Sequence, residues 1–316
     1  MIALLLGLLL LPALALAQPG PPVNYVSISG NKLSRYPWRG QKVVVLTSSS
    51  SLDVPTMDAL VTALDEAYGV YEEITGEEPA AWDQGTLDGR DIVAEVPDQI
   101  ARSGAAVSFL GFMGTEVSAT YFASVYDEVH LHGELDQTLF YEFGRTFWFY
   151  GDQLKEIDAF VTGFAIANRF VAMDRISIHA GPFNQLAYGD FKSSILSTLI
   201  DTYMASSGYT WRNTLTEKDA ILSPSRNPFG WGASDLAGAI FHNVYARYGF
   251  DAYKTFWRTM KKAPAAKTPE EAVRNVIAAA KSATGVDYSF VFKEVFEPGS
   301  EHSGTPPETP VQTSGK

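Results

Sequence analysis

An α+β protein, in which an N-terminal mixed sheet with helices passes into an all-helical half, is what this 316-residue sequence predicts. Three observations predict it. From Lys42 the run KVVVLTSSS is β-branched and apolar, which is the texture of a strand buried on both faces. From Asp91 to His132 short stretches rich in Val, Ala, Phe and Tyr are separated by Gly and Pro punctuation. After Leu135 strand signals nearly stop, and apolar residues recur at spacings of three and four instead.

The elements follow in order. After the strand at Lys42, a helix is expected over Pro55 to Thr75, because Met57, Leu60, Val61, Leu64, Tyr68, Tyr71 and Ile74 fall on one stripe. Asp53 stands where its cap should be. Strands are expected at Asp91 to Glu95, Ala105 to Phe112, Ala119 to Tyr126 and Glu128 to His132. Helices are expected at Thr138 to Tyr150, Ile157 to Asp174, Asp190 to Ala205, Ser234 to Tyr248, Asp251 to Lys261 and Glu270 to Ser282. Residues 18–41 receive no element and read as an N-terminal extension, residues 42–135 as an α/β upper subdomain, and residues 136–296 as a helical subdomain.

The ends have textures of their own. Ile2 to Ala17 is an uninterrupted apolar run closing on Ala15-Leu16-Ala17, the small-x-small pattern that signal peptidases cleave. Residues 1–17 are therefore expected to be a signal peptide, with Gln18 as the mature N-terminus and a secreted or periplasmic destination. The n-region has no Lys or Arg, so an uncleaved anchor is the competing reading. From Glu297 the chain is rich in Pro, Ser, Thr and Gly without apolar residues to bury, so 297–316 reads as a disordered tail.

Composition narrows the chemistry. The absence of cysteine removes disulfides, thiolate zinc sites and Cys nucleophiles together. A formal charge of −12 repels phosphate backbones and anionic headgroups, so neither a nucleic acid nor, after signal cleavage, a membrane is an expected partner. No Gly-x-Ser-x-Gly elbow and no phosphate-cradling glycine loop occurs.

Attention falls on LFYEFGRTFWFY, Leu139 to Tyr150. Phe140, Phe143, Gly144 and Phe147 lie on one face of the expected helix, and Tyr141, Arg145 and Trp148 on another. A helix so apolar should be buried, and it keeps Glu142 and Arg145 only if the charges meet each other or line a cleft. Residue types alone leave both readings open. The aromatics from Phe147 to Tyr150 are core candidates, with Trp148 also a candidate surface for stacking a ligand.

Leu139 to Phe149, together with VTGFAIANRF from Val161, resembles the paired active-site helices of gluzincin metallopeptidases, the thermolysin-like and M1-aminopeptidase-like zincins. The stretch from Gly230 to Met260 is similar to that family's helical lower subdomain, and the resemblance runs over about Lys42 to Phe296. It implies a zincin-like fold. In the family the first helix carries His-Glu-x-x-His and the second a glutamate ligand; here the corresponding residues are Tyr141, Arg145 and Thr162, and Glu142 alone matches, at the place of the general base. Tyr and Thr are feeble zinc ligands and a guanidinium, always protonated, is none. No zinc cofactor is therefore expected.

The five histidines offer no His-x-x-x-His spacing. His130 and His132, on an expected strand with Glu134 nearby, are the alternative metal group, set against a plain reading as polar residues on an exposed face. Two function classes stand. One is a secreted metallopeptidase-like protein that binds a peptide, protein or glycan in the former substrate cleft through Tyr141, Glu142, Arg145, Trp148 and Thr162. The other is an active hydrolase, on peptide or glycan, that uses Glu142 as acid/base with an unorthodox metal site or none.

Overall fold

The computed structural model describes residues 18–183, 185–216 and 229–293. The expected signal peptide and the expected tail lie outside these. The chain forms an N-terminal mixed sheet with helices and a helical C-terminal part, the α+β architecture read from the sequence. No helix among the described residues is long and apolar enough to cross a membrane.

The N-terminal part runs β1 (Val23–Val26), β2 (Lys32–Arg39), β3 (Val43–Thr47), α1 (Val54–Thr75), β4 (Thr86–Leu87), β5 (Arg90–Val96), β6 (Ala106–Ser108), β7 (Thr115–Ser118) and α2 (Ala119–His132). Seven strands make one sheet in the order β1-β2-β3-β5-β7-β6, with β4 hydrogen-bonded to β5. The β3–β5 and β5–β7 pairs are parallel and the others antiparallel. Residues 18–41, which carry no predicted element, thus supply two strands. Alternate residues of β3 face opposite layers: Val43 and Val45 join the core under α1, and Val44 and Leu46 join a second cluster with Tyr25, Ile92 and Ala94. That double burial explains the unbroken apolar run. All seven residues of the α1 stripe are buried, and Asp53 caps the helix by accepting from Thr56 N at 3.0 Å.

The two strands expected between Ala119 and His132 are instead one helix, α2. Ser118 accepts from Tyr121 N at its start, Phe122, Val125 and Val129 are its buried side, and Gly133 closes it in the left-handed conformation at φ 67°. One buried face with caps at both ends outweighs the β preference of Val, Phe and Tyr.

The second part comprises β8 (Glu134–Leu135), α3 (Gln137–Thr146), α4 (Gly151–Leu154), α5 (Asp158–Met173), β9 (His179–Ala180), α6 (Tyr188–Ser193), a π-helical turn at Ser194–Leu199, α7 (Ile200–Ala205), α8 (Trp211–Thr214), α9 (Ala233–Met260), α10 (Pro269–Thr284) and α11 (Ser289–Phe292). β8 and β9 form a separate parallel pair. Gly249, at φ 80° and ψ −179°, breaks α9 at the junction that the sequence places between two helices.

α3 is anchored from several sides. Tyr71 of α1 donates to the Phe140 carbonyl at 2.6 Å, and the Tyr68 and Phe147 rings meet edge to face at 5.0 Å. Asp136 caps the first turn, accepting from Thr138 N at 2.6 Å and from the Tyr121 hydroxyl of α2 at 2.5 Å. α5 packs along both α3 and α9, and its approach to α9 depends on glycines. A Cβ at Gly163 would lie 2.6 Å from Ala237 Cβ, and one at Gly238 would lie 2.5 Å from Ile166 Cγ2.

Gly163→Ala is therefore expected to destabilise the protein. Helix propensity would return about 1 kcal/mol, while forcing the two helices apart costs about 1 to 3 kcal/mol, so the overpacking decides the sign. Urea unfolding of the two proteins checks it, and a more stable alanine variant would refute the α5–α9 contact.

Candidate functional site

The site lies where the sheet edge meets the seam between α3 and α5. β6 is the last strand of the sheet, so one of its edges has no strand partner among the described residues. Ser118 N donates to Ala105 O at 2.8 Å, which makes residues 105 and 107 the ones bonded to β7 and turns the backbone groups of Ala106 and Ser108 outward. The Ala106 carbonyl is taken by the Ser103 hydroxyl at 2.7 Å. The Ala106 and Ser108 N–H groups face the edge that has no strand partner among the described residues, and both residues are buried.

Ser108 ties this edge to α3. Its hydroxyl lies 2.5 Å from the Glu142 carbonyl and 3.0 Å from Glu142 Oε2. Glu142 also stands 3.8 Å from Arg145 Nε, close enough for charge pairing and too far for a hydrogen bond. Their side chains are 14% and 29% exposed, so the pair is neither sealed in the core nor free in solvent. Burial pushes the Glu142 carboxyl above its ordinary range, and Arg145 and Ser108 pull against that shift.

Tyr141 looks to the other side, toward α5. Its hydroxyl is 3.4 Å from Arg145 Nη1, and the Arg145 and Arg169 guanidinium carbons lie 5.9 and 5.7 Å from its ring centre. Arg169 is buried at 6% exposure and donates to Gln137 Oε1 of α3. Its Nε, like that of Arg145, has no hydrogen-bond partner among the described residues. Burial pushes the Arg169 guanidinium down to about 10, and the carboxylate that opposes this most is Asp235, in the first turn of α9, which accepts from the N–H of the N-cap residue Gly232 at 3.0 Å.

Tyr141, Glu142 and Arg145 thus come together as the helical spacing requires, and the structure adds Ser108, Gln137 and Arg169. Those three lie 34, 5 and 27 positions from Glu142, so only Gln137 was within reach of helix periodicity. Arg169 carried one signal, an arginine inside the otherwise uncharged run VTGFAIANRFVAM. Thr162 is half-buried on α5 and makes no side-chain hydrogen bond among the described residues.

Two predicted site groups are corrected. α3 ends at Thr146, so Trp148 does not continue its face. That ring is buried between Tyr150 and Phe164, at 5.5 and 5.4 Å, and is core rather than a stacking surface. His130 and His132 lie on α2, where residues two apart point about 160° away from each other, to nearly opposite sides. His130 bonds Thr56 Oγ1 at 2.8 Å and stacks on Tyr126, while His132 is exposed. They do not converge with Glu134, and no group of three potential metal-binding His, Cys, Asp or Glu side chains is present among the described residues. His242 is a buried histidine, as its apolar helix suggests, with burial holding it down to about 4.

Arg145→Ala should cost about 1 to 2 kcal/mol, between the values for exposed and fully buried pairs, and a double-mutant cycle with Glu142→Gln should give a coupling of about 1 kcal/mol. Without Arg145 the carboxyl rises further. A carboxyl whose folded value exceeds its unfolded one is most favourable to folding below the unfolded value and costs stability as pH rises toward the folded one. The Arg145→Ala defect should therefore deepen above the ordinary carboxylate range, and chemical denaturation across pH 4 to 8 measures it. A coupling of zero would separate the two residues.

No protein-family model matches this chain, and no curated protein matches it.

Proposed function

We propose that this is a secreted, zincin-like protein without the family's zinc chemistry, which binds an extended peptide along the β6 edge beside the α3–α5 seam. The observation that carries this reading is the bond from Ser108 on an open, antiparallel edge strand to Glu142 on the adjoining helix. A strand edge without a strand partner is a template for an incoming strand, and here the outward N–H groups of Ala106 and Ser108, residues themselves buried, lie beside an ionic cluster that can fix the orientation of a bound chain. The resemblance of the Tyr141–Arg145 helix and the Gly163-Phe164-Ala165 helix to the gluzincin pair supports the same placement. Protein segments are the preferred ligand class. With Trp148 in the core, little supports a glycan.

Zinc does not fit the three corresponding positions. Tyr141 and Thr162 are weak donors, and Arg145 brings a permanent cation to within 3.8 Å of the carboxylate that would serve a metal-bound water. Restoring the donors tests the fold reading directly. The unmodified protein should carry no stoichiometric zinc. The triple variant Tyr141→His, Arg145→His, Thr162→Glu should take up about one zinc per chain, as three ligands with an open fourth position do. Failure of the triple variant, if folded, to bind zinc would count against the zincin-like arrangement.

The raised Glu142 carboxyl keeps one further reading in play, a hydrolase with Glu142 as acid/base. Turnover of bound peptides that disappears in Glu142→Gln would establish it. For peptide binding, Ala106→Pro removes an outward N–H without touching the β7 ladder, a place where an edge strand tolerates proline. Retention of a randomised hexapeptide-amide library on the immobilised protein should fall at least about tenfold in this variant, the scale expected from losing an edge hydrogen bond and its neighbours. Unchanged retention would place the ligand elsewhere.

A further inference from the structure

Two guanidinium groups in this site are incompletely used. Arg169 is buried, has no ion-pair partner among the described residues, and leaves Nε without an acceptor. Among the described residues its one side-chain hydrogen bond is to the neutral Gln137. Burying a charged group without full pairing is costly, and natural structures satisfy such groups with a counter-charge, water or ligand. Arg145 shows the same deficiency by another route. Ser108 Oγ lies 2.5 Å from the Glu142 carbonyl and 3.0 Å from Glu142 Oε2, while the carboxylate stands 3.8 Å from Arg145 Nε, and that N–H has no hydrogen-bond partner among the described residues. Both guanidiniums lie beside the Tyr141 ring, at 5.9 and 5.7 Å.

We infer that the ligand carries a carboxylate, which docks beside Tyr141 with Arg145 as its direct donor and Arg169 as the supporting charge behind it. The inference rests on the peptide-binding reading above and specifies what such a peptide must contain. Arg145 is 29% exposed, so an arriving carboxylate meets its terminal nitrogens, and the planar fork lets it engage two N–H groups at once. The Tyr141 hydroxyl, 3.4 Å from Arg145 Nη1, lies within reach as an additional donor. Arg169 is too enclosed to meet a peptide directly. It acts by raising the local positive potential beside Tyr141, against the opposing charge of Asp235, in surroundings that screen charge less than water does. Arg169 is thus a positioning residue, and Arg145 a binding one.

Either a C-terminal carboxylate or an acidic side chain would supply the group, and three pentapeptides separate the two sources. One is acetyl-Ala-Ala-Phe-Ala-Ala amide, the second is its free acid, and the third is the amide with the fourth residue changed to Glu. Affinities are read by calorimetric titration of the mature protein at low and at high salt. At least one carboxylate-bearing peptide should bind about tenfold more tightly than the neutral amide, an advantage that shrinks with salt. Arg145→Gln should abolish the advantage, so that the carboxylate-bearing peptides bind the variant no more tightly than the neutral amide does. Arg169→Gln should reduce it severalfold; if that variant fails to fold, Arg145→Gln and the salt series still decide. Equal binding of all three peptides overturns the carboxylate inference and leaves the peptide cleft standing. Binding of none overturns both.

Discussion

The burial of ionic side chains along the seam of α3 and α5 is the constraint around which the rest of this structure is arranged. An apolar helix gains from burial on every side, and α3 is held by the Tyr71 hydroxyl, the Asp136 cap, the aromatic rings of α1 and the length of α5. A carboxylate and a guanidinium on the same helix resist that burial, because each loses water it must replace. The chain answers by turning Glu142 to the sheet edge, where Ser108 bonds it, and Tyr141 to α5, where Arg169 lies against it. The site is thus the part of α3 that the core could not absorb.

Much of this frame was legible in the sequence. The α1 stripe, its Asp53 cap, the paired helices around Glu142 and Arg169, and the break near Gly249 all announce themselves locally, because one amphipathic face or one glycine conformation suffices to specify each. What failed was also local. In α2 the residues Val125, Val129 and Phe122 are strand-prone, yet they sit at helical spacing, and Ser118 and Gly133 stand at the two cap positions. Spacing and caps were the stronger evidence, because the preference of a single residue for strand is overruled when three residues can be buried together. β1 and β2 escaped for the opposite reason. LSRYPWR mixes charge, proline and aromatic residues, and becomes a strand only because β1 and β3 are there to pair with it on both sides.

The site divides along the same line. Tyr141, Glu142 and Arg145 lie within five residues, and helical geometry alone brings them together. Ser108 and Arg169 reach the cluster only through the packing of β6 and α5 against α3, contacts between distant parts of the sequence that no periodicity encodes. Trp148 illustrates the converse. It shares a nominal helical face with Tyr141 and Arg145, but the helix stops at Thr146 and the ring turns inward to Phe164. A one-turn difference in where a helix ends moved a residue from the expected cleft to the core.

A buried arginine is the more informative kind of polar residue, because its charge cannot be discharged by a shift in pKa as a histidine's or a carboxyl's can. His242, equally enclosed, is kept neutral at ordinary pH by its burial and needs little further compensation. Arg169 has no such exit. Its guanidinium, even pushed down to about 10, remains charged wherever the protein is folded at neutral pH. The packing around it must therefore be organised to tolerate a cation: aromatic faces of Tyr141, Phe170 and Phe191 at 5.7, 4.6 and 5.1 Å, the Gln137 side-chain oxygen Oε1, and Asp235 at longer range. These compensations come from four elements, so the positions of α3, α5, α6 and α9 are coupled through one side chain. The charge that the core has to accommodate lies next to Tyr141, which ties the packing of the helical half to the electrostatics around Arg145.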